Sequence, residues 1–218
     1  SKEKQKPHEE INELVNNCRV MDIEIFPPDL RKSNKNFKII DNNIFFGLSN
    51  VKSVGQAVID KIKKYKIEVE EKLDKNIEDW CWREFLVFFS EKITSTAIKA
   101  LISVGAMSYM SSNRTKMLYE YELFQKLTNK EKNWIQTYLL DNPDERQKEF
   151  LEILKHVVSL PSGKSGAVAN KKRLESVKGM VMSLENPPYK LEDMPEWVAG
   201  KEEHLLGIPL TCSKVDAC

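Results

Sequence analysis

The hydrophobic pattern of the first 50 residues combines one helix with short β-prone runs. Five apolar positions recur at helical spacing and predict an N-terminal helix. They are Ile11, Leu14, Val15, Cys18 and Met21. The alternating segment 23–25 then predicts a short strand that stops at two prolines. Two further β-prone runs, FKII and IFFGL, flank Asp41-Asn42-Asn43. Asp and Asn favour tight turns, so these runs predict a β-hairpin.

From residue 50 onward the apolar spacing is helical. One face is predicted at Val51, Val54, Val58 and Ile62, and a second at Ile93, Ala97, Ile98 and Leu101. Asn142-Pro143 has the features of a helix start, with an Asn cap, a proline at the first helical position and Glu145 three residues after the cap. The predicted fold class is mainly α with a small β-hairpin.

Composition excludes several classes of protein. The hydrophobic share is 41% and the charged share 31%, which is typical of a globular protein. No apolar run is long enough to cross a bilayer, so we expect no membrane partner and a cytoplasmic location. The four cysteines and three histidines show no zinc-ligand spacing, and no histidine lies in a catalytic context. We therefore expect no metal, no cofactor and no catalytic residue in this chain.

Local charge is more informative than the net charge of +1. Residues 47–66 contain five lysines and one aspartate, whereas residues 67–84 contain seven acidic and three basic residues. A second basic stretch, 161–178, contains five basic residues and one glutamate. Such alternation also occurs on ordinary solvated helices, so charge alone does not identify a nucleic-acid partner.

Two turns carry the functional prediction. A helix-hairpin-helix joins two helices by a turn of the form apolar-x-Gly-apolar-Gly, which lets backbone amides bind a phosphate. Residues 51–55, VKSVG, fit this form with Ser53 in place of the first glycine. Residues 101–106, LISVGA, repeat the S-V-G letters and predict a second copy with the same register.

These turns predict binding of double-stranded DNA without sequence reading and with marked salt dependence, because phosphate contacts carry no sequence information. The predicted DNA-binding residues are Lys52, Ser53, Val54, Gly55, Lys61, Lys63, Lys64, Ser103, Val104 and Gly105. A methyl group at Gly55 is expected to obstruct the phosphate and to strain the backbone.

Four blocks together resemble the C-family (bacterial-type) replicative DNA polymerases, in particular the α subunit of DNA polymerase III. The blocks are CRVMDIEIFPPDLRKSNKNF, IFFGLSNVKSVGQAVIDKI, IKALISVGAM and EEHLLGIPLT, in the family's order. The resemblance implies a fingers-end lead-in at 1–46, a tandem helix-hairpin-helix unit at 47–112, a helical segment at 113–160, and a linker with a C-terminal segment at 161–218. It further implies that a downstream domain is missing.

The resemblance also implies what the chain lacks. The family's palm carboxylates hold magnesium, and no Asp-x-Asp block occurs in these 218 residues. We therefore expect a part or a relative of a polymerase, with magnesium needed only by the parent enzyme. The chain has Ser53 in place of a glycine, and Met107-Ser108 where Phe-Asp is usual. These departures indicate a divergent, phage-like relative.

Other motifs have weaker interpretations. A nucleotide-binding loop needs a glycine five residues before Gly163, and Val158 stands there. Residues 162–166, SGKSG, therefore predict a linker. Lys171-Lys172-Arg173 fits either a phosphate-tracking segment or a solvated helix start. Trp80 and Trp82 are assigned to the core rather than to base stacking. In the polymerase family an internal peptide docks on a sliding clamp, and Gln136, Leu139 and Leu140 have its outline, although they also fit a helix face.

Two alternative functions remain open. In the first, the chain is a protein-interaction module, for example for a sliding clamp, and its hairpins only pack the fold. In the second, it is a free-standing helix-hairpin-helix protein of DNA repair or recombination. The block CRVMDIEIFPPD argues against the second alternative, because ordinary hairpin proteins do not carry it.

Overall fold

The computed structural model describes residues 7–32, 35–161 and 167–211. The α-helices are α1 (Pro7–Val20), α2 (Gln56–Leu73), α3 (Trp82–Glu84), α4 (Ser95–Ser103), α5 (Arg114–Gln125), α6 (Asn129–Asp141), α7 (Phe150–Ser159), α8 (Lys171–Glu185) and α9 (Pro195–Leu206). The strands are β1 (Ile25–Phe26), β2 (Lys38–Ile40) and β3 (Asn43–Phe45). Short 3-10 turns lie at Leu48–Asn50, Ile77–Asp79 and Pro143–Gln147, and a π-helical turn spans Phe85–Phe89. No helix in these ranges is long and apolar enough to span a membrane.

The fold is mainly α-helical with a small sheet, as predicted. Strands β2 and β3 pair antiparallel, with Ile40 opposite Asn43, so the connection is the two-residue turn Asp41-Asn42. Both turn residues have positive φ, 48° and 62°. This is the geometry of a type I′ turn, whose twist matches the right-handed twist of the two strands. Strand β1 adds parallel to β3 and gives the order β1-β3-β2.

Helix α1 confirms only part of its predicted apolar face. Val15 and Cys18 are buried, but the side chains of Leu14 and Met21 are 55% and 71% exposed. Met21 lies beyond the end of the helix, where Asp22 turns the chain with a φ of 60°. The helical period therefore identified the helix correctly and extended its buried face too far.

The predicted start, with Asn142 as cap and Pro143 in the first position, is confirmed for a 3-10 turn but not for the α-helix that was expected there. Pro143–Gln147 forms a 3-10 turn, and the α-helix begins at Phe150 with Glu149 as its cap residue. The side chain of Asn142 donates to Tyr138 O at 2.8 Å, so it closes α6 instead of accepting a hydrogen bond from the next turn. Its amide is thus used by the preceding helix.

The chain divides into two compact units that are not continuous in sequence. Unit 1 contains residues 1–64, 93–114 and 193–218, and unit 2 contains residues 65–92 and 115–192. The four consecutive segments predicted from the sequence, 1–46, 47–112, 113–160 and 161–218, do not coincide with these units. A division along the sequence cannot reproduce them, because the chain passes back to unit 1 twice.

Each unit has its own apolar core. In unit 1, Phe46, Val51, Val54 and Ile59 are buried together with the inner faces of α4 and α9. In unit 2 the indoles of Trp80 and Trp82 are each 2% exposed, which confirms their assignment to the core. Trp82 Nε1 donates to Glu120 Oε2 at 2.6 Å, and burial raises the pKa of that carboxyl group.

Candidate nucleic-acid interface

The first turn, defined as Lys52–Gly55, lies in unit 1 between a 3-10 turn and the N-terminus of α2. Val54 is 2% exposed and anchors the turn in the core, whereas Lys52, Ser53 and Gly55 are exposed. The Val54 N–H donates to Val51 O at 3.0 Å, so the turn closes on itself. One buried side chain thus holds a short exposed backbone segment in a defined position.

Backbone amides are available at this turn. Within the described residues, the N–H groups of Gly55, Gln56 and Ala57 form no hydrogen bond, as expected for the first turn of a helix. No acidic residue lies in that first turn. The N-terminus of α2 therefore presents unpaired donors and a partial positive charge to solvent.

The space that a side chain at position 55 would occupy is empty of other protein atoms. A Cβ atom built there would meet no heavy atom within 4 Å, and the residue does not have a positive φ. The expectation that a methyl group would strain this backbone is therefore wrong. The fold does not require glycine at this position, whereas a ligand that approaches the amides closely would require it.

The predicted supporting lysines of α2 are all exposed. Lys61, Lys63 and Lys64 lie in the part of α2 that belongs to unit 1. Two residues of helix correspond to a rotation of about 200°, so Lys63 lies on a different side of α2 from Lys61. Lys61 and Lys64 share a face, and these two are placed to act together.

The second turn, defined as Ser103–Gly105, has a different environment. Ser103 is 4% exposed, Val104 is 0% exposed and Gly105 is buried. The N–H groups of Val104 and Gly105 donate to Ala100 O and Ile102 O, both at 3.0 Å. These predicted DNA-binding residues are therefore part of the core of unit 1, and their role as DNA contacts stays a prediction that this geometry does not favour.

The second turn ends a helix rather than starting one. Ala106 N–H donates to Leu101 O and Gly105 N–H donates to Ile102 O, each at 3.0 Å. Gly105 has a φ of +78°. This pair of bonds with a left-handed glycine is the Schellman arrangement, which closes the C-terminus of α4.

The φ angles align the two turns differently from the way their shared letters S-V-G align them. The residue with positive φ is Ser53 in the first turn, at 76°, and Gly105 in the second, at 78°. Gly105 is therefore the backbone equivalent of Ser53 and not of Gly55. The predicted equivalence of Gly55 with Gly105 is a correspondence of letters only, and Met107 occupies the position equivalent to Gly55.

A buried polar network supports the second turn. The guanidinium of Arg114 donates to Ser103 O at 3.0 Å and to Glu202 Oε1 at 2.8 Å. Glu202 also accepts the N–H groups of Leu210 and Thr211, at 2.6 and 2.8 Å. The side chains of Arg114 and Glu202 are 6% and 0% exposed, so inside unit 1 the Arg114 guanidinium joins the end of α4 to α9.

A cleft of about 370 Å³ lies beside the first turn in unit 1. Its lining includes Lys52 and Ser53 of that turn, Lys99 of α4, and Lys201 and His204 of α9. The prediction from sequence missed Lys99, Lys201 and His204, since they lie 47 to 152 residues from Lys52 along the chain. The sequence signal at this cleft was limited to the positive charge of the two lysines.

The residues with the outline of a clamp peptide lie on α6 in unit 2. Leu139 is 0% exposed, Leu140 is half-buried, and Gln136 Nε2 donates to Val87 O at 2.9 Å. A docking peptide must present such side chains to its partner. The clamp interpretation stays a prediction, and this helical geometry does not favour it.

The second basic stretch lies only partly in the described residues, because the linker predicted at 162–166 falls outside them. Lys171 begins α8, and Arg173 Nε donates to the buried Glu131 Oε1 at 2.7 Å. Burial opposes ionisation of Glu131, but hydrogen bonds from Arg173 and Thr128 lower its pKa below the ordinary value. Arg173 thus serves the fold of unit 2.

Comparison with known proteins matches the region that contains both turns. A family model described as a helix-hairpin-helix motif matches residues 22–117. The DNA polymerase III subunit alpha of Aquifex aeolicus is 27% identical over 204 residues, which is 89% of this chain and 15% of that protein. The same subunit of Chlamydia trachomatis is 24% identical over 211 residues, 96% of this chain and 14% of that protein.

A shorter match has higher identity. The DNA polymerase III subunit alpha of Deinococcus radiodurans is 30% identical over 101 residues, 45% of this chain and 7% of that protein. The chain thus corresponds to a small part of the length of each relative. The chain is thus similar over residues 22–117 to the helix-hairpin-helix motif, and over most of its length to a part of DNA polymerase III α subunits.

Proposed function

We propose that this chain holds duplex DNA, without reading its sequence, as the DNA-binding part of a replicative polymerase. The observation that carries the proposal is the first turn. It combines a buried anchor at Val54 with exposed backbone at Gly55 and open space where a side chain would be. The helix-hairpin-helix match and the polymerase relatives support a partner with a phosphate backbone.

The mechanism follows from the donors at the start of α2. A phosphate oxygen approaches over Gly55 and accepts hydrogen bonds from the amides of Gly55, Gln56 and Ala57. The side chain of Lys52 adds a positive charge in the same turn, and Lys61 and Lys64 attract the DNA over a longer range. None of these contacts reaches a base edge, so the grip is independent of sequence.

The second turn has a supporting role in this proposal. Its amides are already bonded within unit 1, and its carbonyl at Ser103 accepts the Arg114 guanidinium. It therefore stabilises the frame that holds the first turn. The proposal thus has one phosphate-binding turn where the sequence predicted two.

The sliding-clamp function is not part of the proposal. It would require Gln136 and Leu139 to leave the contacts that they make in unit 2. A pull-down with a clamp tests it independently of DNA binding.

Fluorescence anisotropy of short labelled duplexes tests the proposal. Two duplexes of unrelated sequence and equal length are expected to bind equally, with dissociation constants of about 10⁻⁶ to 10⁻⁴ M at physiological salt. The logarithm of the binding constant should fall linearly with the logarithm of salt, by about 0.9 per phosphate contacted. A single strand of the same length serves as the comparison. Absence of duplex binding at low salt, or tighter binding of the single strand, would contradict the proposal.

A further inference from the structure

The first turn contains a type II β-turn formed by residues 51–54. Val54 N–H donates to Val51 O at 3.0 Å, so Val51 is the first residue of this β-turn and Val54 the fourth. Ser53, the third residue, has a φ of 76°, and a positive φ at this position is the mark of type II. Lys52 is the second residue. Its N–H takes no part in the bond that closes a β-turn, so it is available to another element of unit 1.

The N–H of Lys52 bonds to the end of α9. It donates to Leu205 O at 2.9 Å, across a long separation in the sequence. Leu205 is the residue before the last of α9, and the last carbonyls of a helix have no partner within it. Four residues further on, where a continuing helix would supply an N–H, the chain has Pro209, which has none. Lys52 thus provides the partner that Leu205 O lacks locally.

Helix α9 is itself held in place inside unit 1. The carboxylate of Glu202 is fully buried and accepts a hydrogen bond from the Arg114 guanidinium at 2.8 Å. It also accepts the N–H groups of Leu210 and Thr211, at 2.6 and 2.8 Å, which fixes the chain that leaves the helix. Moving the end of α9 would break charge-assisted bonds to a buried carboxylate, and this is costly. The carbonyl of Leu205 is therefore a fixed point for the first turn.

The bond to α9 restricts the orientation of the first turn. The buried side chains of Val51 and Val54 hold the two ends of the β-turn in the core. Two points define an axis about which the turn can still tilt, and the bond from the backbone of Lys52 to a third point removes that freedom. The N–H of Gly55 belongs to the same turn, so the tilt sets its direction. A hydrogen bond weakens steeply as it departs from linearity, so this direction determines how well the amide binds a phosphate.

We infer that the end of α9 positions the first turn for DNA binding. By accepting the N–H of Lys52, the carbonyl of Leu205 holds the turn in the orientation in which the Gly55 amide meets a phosphate. This inference rests on the proposed function, since it assumes that DNA reaches the first turn. Helix α9 lies outside residues 22–117, which the helix-hairpin-helix model matches, so the inference adds a supporting element to that motif. Leu205 acts through the turn and needs no contact with DNA.

Two substitutions at position 52 separate the role of the N–H from that of the charge. Lys52→Pro removes both the N–H and the ammonium group, whereas Lys52→Ala removes the ammonium group and keeps the N–H. Proline is common at the second position of a type II turn. Val51, which would precede it, has a φ of −81° and a ψ of 120°, the extended conformation that a residue before proline favours. The β-turn should therefore form in both variants, which differ in the bond to Leu205.

Anisotropy of the full chain with a labelled duplex, across a salt series, measures the difference. Lys52→Pro should bind about fivefold more weakly than Lys52→Ala, as expected for the loss of one backbone hydrogen bond. The salt slopes of the two variants should be equal, because the variants carry the same charge. A bond that only stabilised the fold would change the melting temperature and leave the affinity of the folded protein equal in both. Circular dichroism at the temperature of the binding experiment verifies that both are folded.

A second pair of variants changes α9 and leaves the first turn intact. Glu202→Gln replaces the carboxylate that accepts the N–H groups of Leu210 and Thr211 with an amide, which has a single acceptor oxygen. Glu203→Gln, at an exposed neighbour on the same helix, makes the same change of charge and is the matched control. Glu202→Gln should bind duplex more weakly than Glu203→Gln, with an equal salt slope, because the end of α9 is less firmly held.

The outcomes separate the inference from the proposed function. If the wild-type chain binds duplex and Lys52→Pro binds like Lys52→Ala, the positioning role is wrong and the proposed function stands. If Lys52→Pro does not fold, equal binding by Glu202→Gln and Glu203→Gln leads to the same conclusion. If the wild-type chain does not bind duplex at low salt, the proposed function fails and the inference fails with it.

Discussion

The first and second turns share the letters S-V-G and differ in almost every physical property. The first turn precedes α2, exposes Gly55 and leaves its amides unpaired within the described residues. The second turn follows α4, buries Gly105 and bonds its amides internally. A glycine at the start of a helix can serve a ligand, whereas a left-handed glycine at the end of a helix serves the fold.

The strongest expected effect concerns the support of the second turn. Arg114→Met removes the guanidinium that bonds Ser103 O and leaves the Glu202 carboxylate buried without its partner. We expect a loss of about 3–5 kcal/mol in the free energy of unfolding, because a lone buried charge is costly. Urea unfolding followed by circular dichroism measures it.

The control for this variant is Lys178→Met. Lys178 pairs with Glu175 at 2.6 Å on the surface, and the two side chains are 50% and 70% exposed. A surface pair contributes about 1 kcal/mol or less. Equal losses in the two variants would show that the buried pair has no special role in supporting the second turn.

The two glycines should differ strongly in how much the same substitution costs. In Gly105→Ala, the new Cβ would lie 2.6 Å from Arg114 Nη2 and the alanine would need a φ of +78°. We expect a destabilisation of about 2–4 kcal/mol from strain and overpacking. Gly55→Ala should change stability by about 0.5 kcal/mol or less, because nothing lies near its Cβ.

Paired thermal and urea unfolding of these two variants measures the difference. A similar loss in both would mean that Gly55 is also required by the fold. The contrast between a ligand-serving and a fold-serving glycine would then be lost.

The two serines should show the smallest effects, with opposite signs. Ser53 has a φ of 76°, so Ser53→Gly relieves strain and should stabilise the protein by about 0.5–1 kcal/mol after the entropy of glycine is deducted. Ser103 is the last residue of α4, and Ser103→Gly should destabilise by about 0.5 kcal/mol. Differential scanning calorimetry of both variants decides the sign, and stabilisation by Ser103→Gly would contradict the assignment of the second turn.

Local patterns in the sequence predicted much of the fold. The hairpin turn at Asp41-Asn42, the exposed first turn and the burial of Trp80 and Trp82 all follow from spacing and residue type within a few positions. The end of α4 at the second turn does not, since S-V-G has the same composition whether a helix starts or stops there. Only the backbone bonds of Gly105 and Ala106 distinguish the two cases.

Contacts between residues that lie far apart in the sequence could not be predicted from it. Arg114 and Glu202 are 88 positions apart, and neither residue has a local pattern that indicates its partner. The interleaved units have the same origin, because segments 93–114 and 193–218 join unit 1 through tertiary packing. Lys99 and Lys201 were missed for this reason as well.

The central claim is that Gly55 is open for a phosphate, and one measurement tests it directly. Gly55→Ala and the control Gly179→Ala, at another glycine with no heavy atom within 4 Å of its Cβ position, are compared with wild type for duplex binding by anisotropy. The account predicts that Gly55→Ala weakens binding about tenfold with unchanged stability, since one charge-assisted hydrogen bond is lost, and that Gly179→Ala binds like wild type. Equal binding by all three proteins would contradict it.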